Sequence, residues 1–259
     1  MDDVSRYNRE RWNALVRANV PFSRPWFDLD EATARARVDP EGMMGEAAGR
    51  DVLCLAAGGG QQSAAFGVLG ARVTVLELSE EQLARDAEAA HHYGLDVRAL
   101  QGDMRDLSRF PDACFDLVWQ AHSINFVPDA PAVFSEVARV LRPGGRYRLH
   151  YTNPFLHGVS ENWDGKGYAV TVPYEDAEVH HRESRWDVCD ADGTVHRVEG
   201  PREFRHRLGT VVNGLIARGL AILGIWEDGS GADPQAEPGS WCHFQSIVPP
   251  WLTLWAERR

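Results

Sequence analysis

Four short stretches of the 259-residue chain carry side chains that could do chemistry. Leu53 to Gln62, LCLAAGGGQQ, passes from an apolar run into three consecutive glycines and two glutamines. Such a turn lets backbone approach a nucleotide-like ligand, because glycine has no Cβ and adopts turn conformations that other residues avoid. Glu77 ends the β-branched run RVTVLEL, where a carboxylate suits the hydroxyls of a ribose. In QGDMRDL, Asp103 can accept from the exocyclic amine of an adenine while Met104 packs against the ring. His122, in WQAHSIN, offers an imidazole that is neutral at cellular pH and able to take a proton from a hydroxyl or an amine.

The glycine turn alone leaves NAD, FAD, a nucleotide phosphate and S-adenosylmethionine open. Against the dinucleotide fingerprint G-x-G-x-x-G it supplies Gly58 and Gly60 but Ser63 at the third glycine, where close helix packing is needed. Glu77 serves a ribose in either kind of site, whereas a second acid at Asp103 is unusual for a dinucleotide. His91-His92 and His180-His181 are adjacent pairs without helical chelate spacing, so no metal site is expected. Cys54, Cys114, Cys189 and Cys242 have no CxxC spacing and read as reduced, structural thiols. A net charge of −11, from 38 acidic against 27 basic side chains, repels a phosphate backbone and argues against nucleic acid as substrate. The basic stretch around Arg202, Arg205 and Arg207 reads as a helix start with a solvated face. No apolar run approaches the roughly 20 residues of a membrane span, and a cytoplasmic protein is expected.

Positioning these residues requires strands that alternate with helices. DVLCLAA, RVTVLEL, DVRALQ, FDLVWQ and RYRLHYT read as strands; QQSAAFGVLG, SEEQLARDAEAAHHYG and PAVFSEVARVL read as helices. Right-handed crossovers then give a mostly parallel sheet covered on both faces, with ligands at the carboxyl ends of its strands. Ser79 is placed to cap the second helix and Gly94 to end it, and Arg142-Pro143-Gly144-Gly145 supplies a turn. Beyond residue 153 the chain turns rich in Gly, Asn and aromatics, and SRWDVCDADGTVHRVEG reads as a hairpin turning at Asp192-Gly193. FRHRLGTVVNGLIARG returns to helical periodicity, GLAILGIWE and PWLTLWAER close as strands, and SRYNRERWNALVRAN makes an amphipathic N-terminal helix.

Taken in order, LCLAAGGG, Glu77, QGDMRDL, FPDACFDLVWQAHSINFVPD and FSEVARVLRPGGRYRL resemble the class I S-adenosylmethionine-dependent methyltransferases. The likeness is greatest to the ubiquinone/menaquinone-biosynthesis-like, type 11, small-molecule branch and covers about residues 50 to 152. It implies an α/β fold, a Rossmann-like three-layer sandwich with a mostly parallel seven-stranded sheet. An N-terminal helical cap would span 1–49, and a methyltransferase domain 50–259 would carry a β-hairpin insertion at about 154–200. The resemblance puts Ala57, Gly58 and Gly60 against the methionine part of S-adenosylmethionine, Glu77 on its ribose and Leu78 beside the adenine. It sets Asp103 and Met104 on the adenine and Gln120 on the methionine side. Where the family commonly has an acid in the first strand stands Cys54, and Ala56 replaces the first glycine; Gln61 and Gln62 are expected to supply the lost polar contacts.

Methyl transfer is an in-line displacement from a sulfonium, which calls for alignment, exclusion of water and, where needed, proton removal. His122 is the candidate base, with His150, Tyr151, Asn153 and His157 as candidates for the acceptor side; His150 and Tyr151 must face oppositely on a strand. Trp12, Trp26, Phe27, Phe155, Trp163, Tyr168 and Trp186 fall in the N-terminal and inserted segments, pointing to an apolar or aromatic small-molecule acceptor. Two other readings compete: an NAD-type oxidoreductase, and a non-catalytic S-adenosylmethionine-binding protein suggested by Cys54 and Ala56.

Overall fold

The computed structural model describes residues 1–180, 185–189 and 192–259. Helix α1 (Asp3–Arg17) begins at Asp2, whose carboxylate accepts from the Ser5 amide. Helix α2 (Glu31–Val38) begins with a capping box between Asp30 and Thr33. Then come β1 (Asp51–Leu55), α3 (Gln62–Val68), β2 (Arg72–Glu77), α4 (Glu80–Tyr93), β3 (Val97–Gln101), β4 (Phe115–Gln120), α5 (Ala130–Val140) and β5 (Leu141–Thr152). The insertion holds β6 (Val159–Trp163), β7 (Tyr168–Val170), β8 (Ala177–Val179), β9 (Arg185–Cys189) and β10 (Val195–Glu199). β11 (Glu203–Arg205), α6 (Leu208–Ile216), β12 (Leu220–Asp228), α7 (Trp241–Ile247) and β13 (Trp251–Arg258) complete the chain. Ser79 caps α4 by accepting from the Gln82 amide, and Gly94 ends it in the left-handed conformation at φ 65°.

Seven strands form one sheet in the order β12-β13-β5-β4-β1-β2-β3. β1 to β5 run parallel, while β13 lies antiparallel between β5 and β12. The two-residue period of β1 divides the core. Leu53 and Leu55 face α5 and α6, among Phe134, Val137, Tyr147, Leu149 and Leu215. Val52 and Cys54 face the other layer, with Ala34, Val38, Ala65, Phe66 and Trp119. Residues around α2 are thus built into the core, and a buried ion pair pins their trailing loop to the sheet. Arg148 on β5 meets both oxygens of Glu41 at 2.8 and 3.1 Å, Trp255 donates to the same carboxylate at 3.1 Å, and the guanidinium lies 4.7 Å over the Trp119 ring.

Three features depart from the sequence expectations. Arg142-Pro143-Gly144-Gly145 is a bulge inside a long β5 rather than a turn before it: pairing jumps from Phe115↔Leu141 to Leu117↔Arg146, with Gly144 at φ 76°. The stretch EFRHR does not start a helix. Glu203–Arg205 pairs with β8, and Arg205 and His206 are buried because backbone carbonyls satisfy them, Pro173 and Glu175 for the arginine, Ile124 and Val127 for the histidine. Helix α7 lies between GLAILGIWE and PWLTLWAER, where no helix is expected from the sequence. The hairpin SRWDVCDADGTVHRVEG is formed by β9 pairing with β10, Gly193 lying at φ 87°; residues 190 and 191 of its turn fall outside the described set.

Candidate active site

Strand order reverses between β1 and β4, and a cavity of about 1210 Å³ opens there, beyond the carboxyl ends of β1 to β5. Its volume exceeds the roughly 300 to 1,000 Å³ usual for one small ligand, leaving room for two. One lobe is lined by Ala57, Gly58, Gln61, Gln62, Glu77, Leu78, Asp103 and Met104. The other is walled largely by rings: His122, His150, Trp251, Phe126, Trp12 and Trp186.

The turn after β1 is held from within the protein. Ala56 takes φ 46°, a left-handed conformation that costs a residue with a Cβ about 1–2 kcal/mol, and its amide donates to the Leu76 carbonyl at 2.7 Å. Gly58 donates to Glu77 Oε2 at 3.3 Å; Gly59 and Gly60 donate to the two oxygens of Asp86 at 3.2 and 3.1 Å. The amides that would cradle a phosphate therefore already face carboxylates, so this is no anion nest. Two buried acids, Glu77 and Asp86, beside the turn make surroundings that favour a cation and a ribose diol, which suits a sulfonium nucleoside. Burial raises the Glu77 carboxyl, against the amides of Ser79 and Gly58 that lower it.

Asp103 lies in this lobe with both oxygens engaged. Burial alone would raise its carboxyl, but Arg105 and Ser5 outweigh that and hold it below the usual range. Arg105 donates from Nη2 at 2.6 Å and from Nε at 3.0 Å, and the Ser5 hydroxyl of α1 donates at 2.6 Å. Gln61 reaches the Arg24 carbonyl at 2.9 Å, tying the turn to the N-terminal segment.

In the aromatic lobe, His122 is half-buried, its Nε2 lying 3.3 Å from Thr152 Oγ1, while its Nδ1, out of reach of solvent, has no hydrogen-bond partner among the described residues. Burial pushes the imidazole down to about 4, opposed by the charge of Glu203. The His150 Nδ1 lies 3.0 Å from Thr253 Oγ1, and burial lowers that ring to about 3. The Trp251 ring centre sits 4.8 Å from that of His122 and 5.9 Å from that of His150. Trp12, Phe126 and Trp186 pack edge-on or tilted at 5.1 to 6.3 Å across the roof. His157 lines the same lobe, with its Nε2 3.6 Å from Glu203.

Four expected site residues lie outside the cavity. Gly60 is turned toward α4, where a Cβ would collide with the Arg85 carbonyl; close helix packing, not ligand contact, requires a glycine there. Gln120 alternates with Trp119 on β4, and its side chain lies in the core, donating to Ser123 at 3.0 Å and accepting from the Tyr147 hydroxyl. Tyr151 faces the α5 layer, opposite His150, so the cavity receives the histidine and not the tyrosine. Asn153 donates to the Pro249 carbonyl at 2.8 Å and accepts from the Phe155 amide, holding the lead into β13. Of the aromatics singled out by sequence, Trp12 and Trp186 line the cavity; Trp26, Phe27, Phe155, Trp163 and Tyr168 do not. Phe22, Phe126 and Trp251 do, though nothing in their local sequence marks them. His181, the second histidine of its pair, lies outside the described residues.

A profile described as a methyltransferase domain matches residues 53–149. An uncharacterized methyltransferase of Bacillus subtilis strain 168, YbaJ, is 32% identical over 186 residues, 71% of this chain and 70% of that protein. The chain belongs to the class I S-adenosylmethionine-dependent methyltransferases. Its cofactor is S-adenosylmethionine, and its sheet is the Rossmann-like sheet of that class. The 27-O-demethylrifamycin SV methyltransferase of Amycolatopsis mediterranei is 32% identical over 166 residues, 60% of this methyltransferase and 61% of that one. Among solved structures, an S-adenosylmethionine-dependent methyltransferase from Mesorhizobium loti superposes with a TM-score of 0.64 at 23% identity, covering 87% of this methyltransferase and 98% of that chain. Among the described residues no helix is long and apolar enough to cross a membrane.

Proposed function

We propose that this methyltransferase methylates a small apolar or aromatic molecule at a protic atom, seated in the aromatic lobe and facing His122. The observation that carries the reading is the continuity of the two lobes: the glycine turn, Glu77 and Asp103 open directly onto a chamber of rings. On this reading Ala57, Gly58, Gln61 and Gln62 flank the methionine part, Glu77 holds the ribose, and Leu78, Asp103 and Met104 surround the adenine. When bound, S-adenosylmethionine supplies an electrophilic methyl on a sulfonium. The chain's own task is to align the acceptor, keep water out and receive a proton. His122 fits the last because its ring lines the cavity and is neutral at pH 7. An imidazole lowered to about 4 is a weak base, but it suffices for a hydroxyl that becomes strongly acidic as the methyl arrives. His157 and Glu203 lie on the same wall and would meet a polar end of the acceptor. The Amycolatopsis relative is, by its name, a methyltransferase of 27-O-demethylrifamycin SV, a small molecule, which agrees with an enclosed acceptor lobe.

The test is transfer of isotopically labelled methyl from S-adenosylmethionine to a panel of phenols, aromatic amines and aliphatic acids, with products identified by mass. Labelling of ring-bearing acceptors, lost in His122→Ala, supports the reading. Labelling confined to small acyclic polar acceptors overturns it.

A further inference from the structure

We infer that Asp86, on the helix behind the glycine turn, is the residue that positions the cofactor wall, and that it does so without touching the cofactor. The inference rests on the turn being the methionine side of the S-adenosylmethionine site. Asp86 has no exposed surface, and no basic side chain pairs with it among the described residues. A carboxylate without a counter-ion at that depth costs several kcal/mol unless donors compensate it. Oδ2 accepts from the Gly59 amide at 3.2 Å, while Oδ1 accepts from the Gly60 amide at 3.1 Å and from the Ser63 hydroxyl.

These three donors span the turn and the start of α3, whose N-cap residue Gln61 makes no side-chain cap. Gly59 and Gly60 sit at φ 114° and 72°, conformations that a free chain would leave readily. Asp86 fixes both from the side opposite the cavity, and Ala57 and Gly58 are thereby presented to the ligand. The only acid of β1, Asp51, stands at its start, paired with Arg72 and Arg142; at the carboxyl end, beside the turn, stands Cys54, fully buried, its thiol pushed up by burial and by the charge of Asp86. The carboxylate that organises the turn thus comes from α4, across the gap that Cys54 leaves.

The grip also depends on pH. The groups facing Asp86 are Glu77 on β2, the Cys54 thiol on β1 and the Ser63 hydroxyl on α3. Burial raises its carboxyl to about 7, with the Ser63 and glycine donors pulling down and the charge of Glu77 adding to the rise. Protonated, it presents a donor where the turn needs acceptors.

Two measurements on the full-length chain test the inference. Calorimetric titration with S-adenosylhomocysteine should show wild-type affinity rising between about pH 6 and about pH 8. In Asp86→Asn it should fall roughly tenfold or more and lose that slope, because the amide nitrogen opposes one glycine amide. Hydrogen exchange of the free proteins should show the Gly59 and Gly60 amides exchanging faster in Asp86→Asn, while the sheet amides of β1 and β2 are unchanged. Wild-type exchange at both glycines in the variant overturns the inference, whatever the titration gives. Faster exchange with unaltered affinity and slope overturns the link to the cofactor. If wild type itself fails to bind, the cofactor reading falls, and the exchange result alone decides the role of Asp86 in the turn.

Discussion

Replacing Glu77 tests the ribose assignment when binding and stability are measured on the same variants. Its carboxylate accepts from the Gly58 amide at 3.3 Å and the Ser79 amide at 2.9 Å, and the residue lines the cavity. Hydrogen bonds to a charged group contribute about 1.5–3 kcal/mol each, so losing a ribose pair removes on the order of 3 kcal/mol of binding. That corresponds to roughly a hundredfold in Kd. Glu77→Ala also strands two amides at about 1–3 kcal/mol apiece, which lowers Tm as well. Glu77→Gln keeps one carbonyl oxygen and the side-chain volume, so its affinity loss should be nearer tenfold at close to wild-type stability. Calorimetry with S-adenosylhomocysteine, paired with thermal melts, reads both quantities. An alanine variant that stays folded and binds within threefold of wild type would show that Glu77 holds only its own turn, and the ribose assignment would be lost.

His122→Gln should keep cofactor affinity while methyl transfer falls about 10²- to 10⁴-fold, checked by labelled-methyl turnover once an acceptor is found. Glu41→Gln breaks the buried pair with Arg148 and should destabilise the fold by about 3–5 kcal/mol in denaturant titration. Asp103 is held below its ordinary range by Arg105, so its contribution to stability is present above the unfolded carboxylate value of about 4 and is lost as pH falls through the lower folded value. Arg105→Ala should therefore melt well below wild type at neutral pH, and the two curves should converge on acidification.

The alternating core was legible because its signals are local and periodic. β1, β2 and β4 announce themselves through apolar runs, α4 through Ser79 and Gly94, and the cofactor side through Glu77 and Asp103 at successive strand ends. What failed was whatever depends on the phase of a strand or on a partner far along the chain. Gln120 and Tyr151 were one residue out of phase with the cavity, since a two-residue period sends neighbours to opposite faces. Asp86 reads as one more polar residue of an exposed helix; only the approach of α4 to the turn, which Gly60 permits, buries it. Arg205 and His206 read as solvated because their carbonyl partners lie about thirty to eighty residues away.

The N-terminal half of helix α1 is fastened to both sides of the cavity. Ser5 bonds Asp103 and Asp2 pairs with Arg105 at 2.8 Å on the adenine side; Asn8 bonds the Phe126 and Arg202 carbonyls at 2.9 and 3.1 Å over the aromatic lobe. One element therefore borders both chambers, through Ser5, Asn8 and Trp12. If α1 lifts as one body, exchange of spent cofactor and escape of methylated product become a single mechanical event, and hydrogen exchange along α1 should slow when S-adenosylhomocysteine is bound.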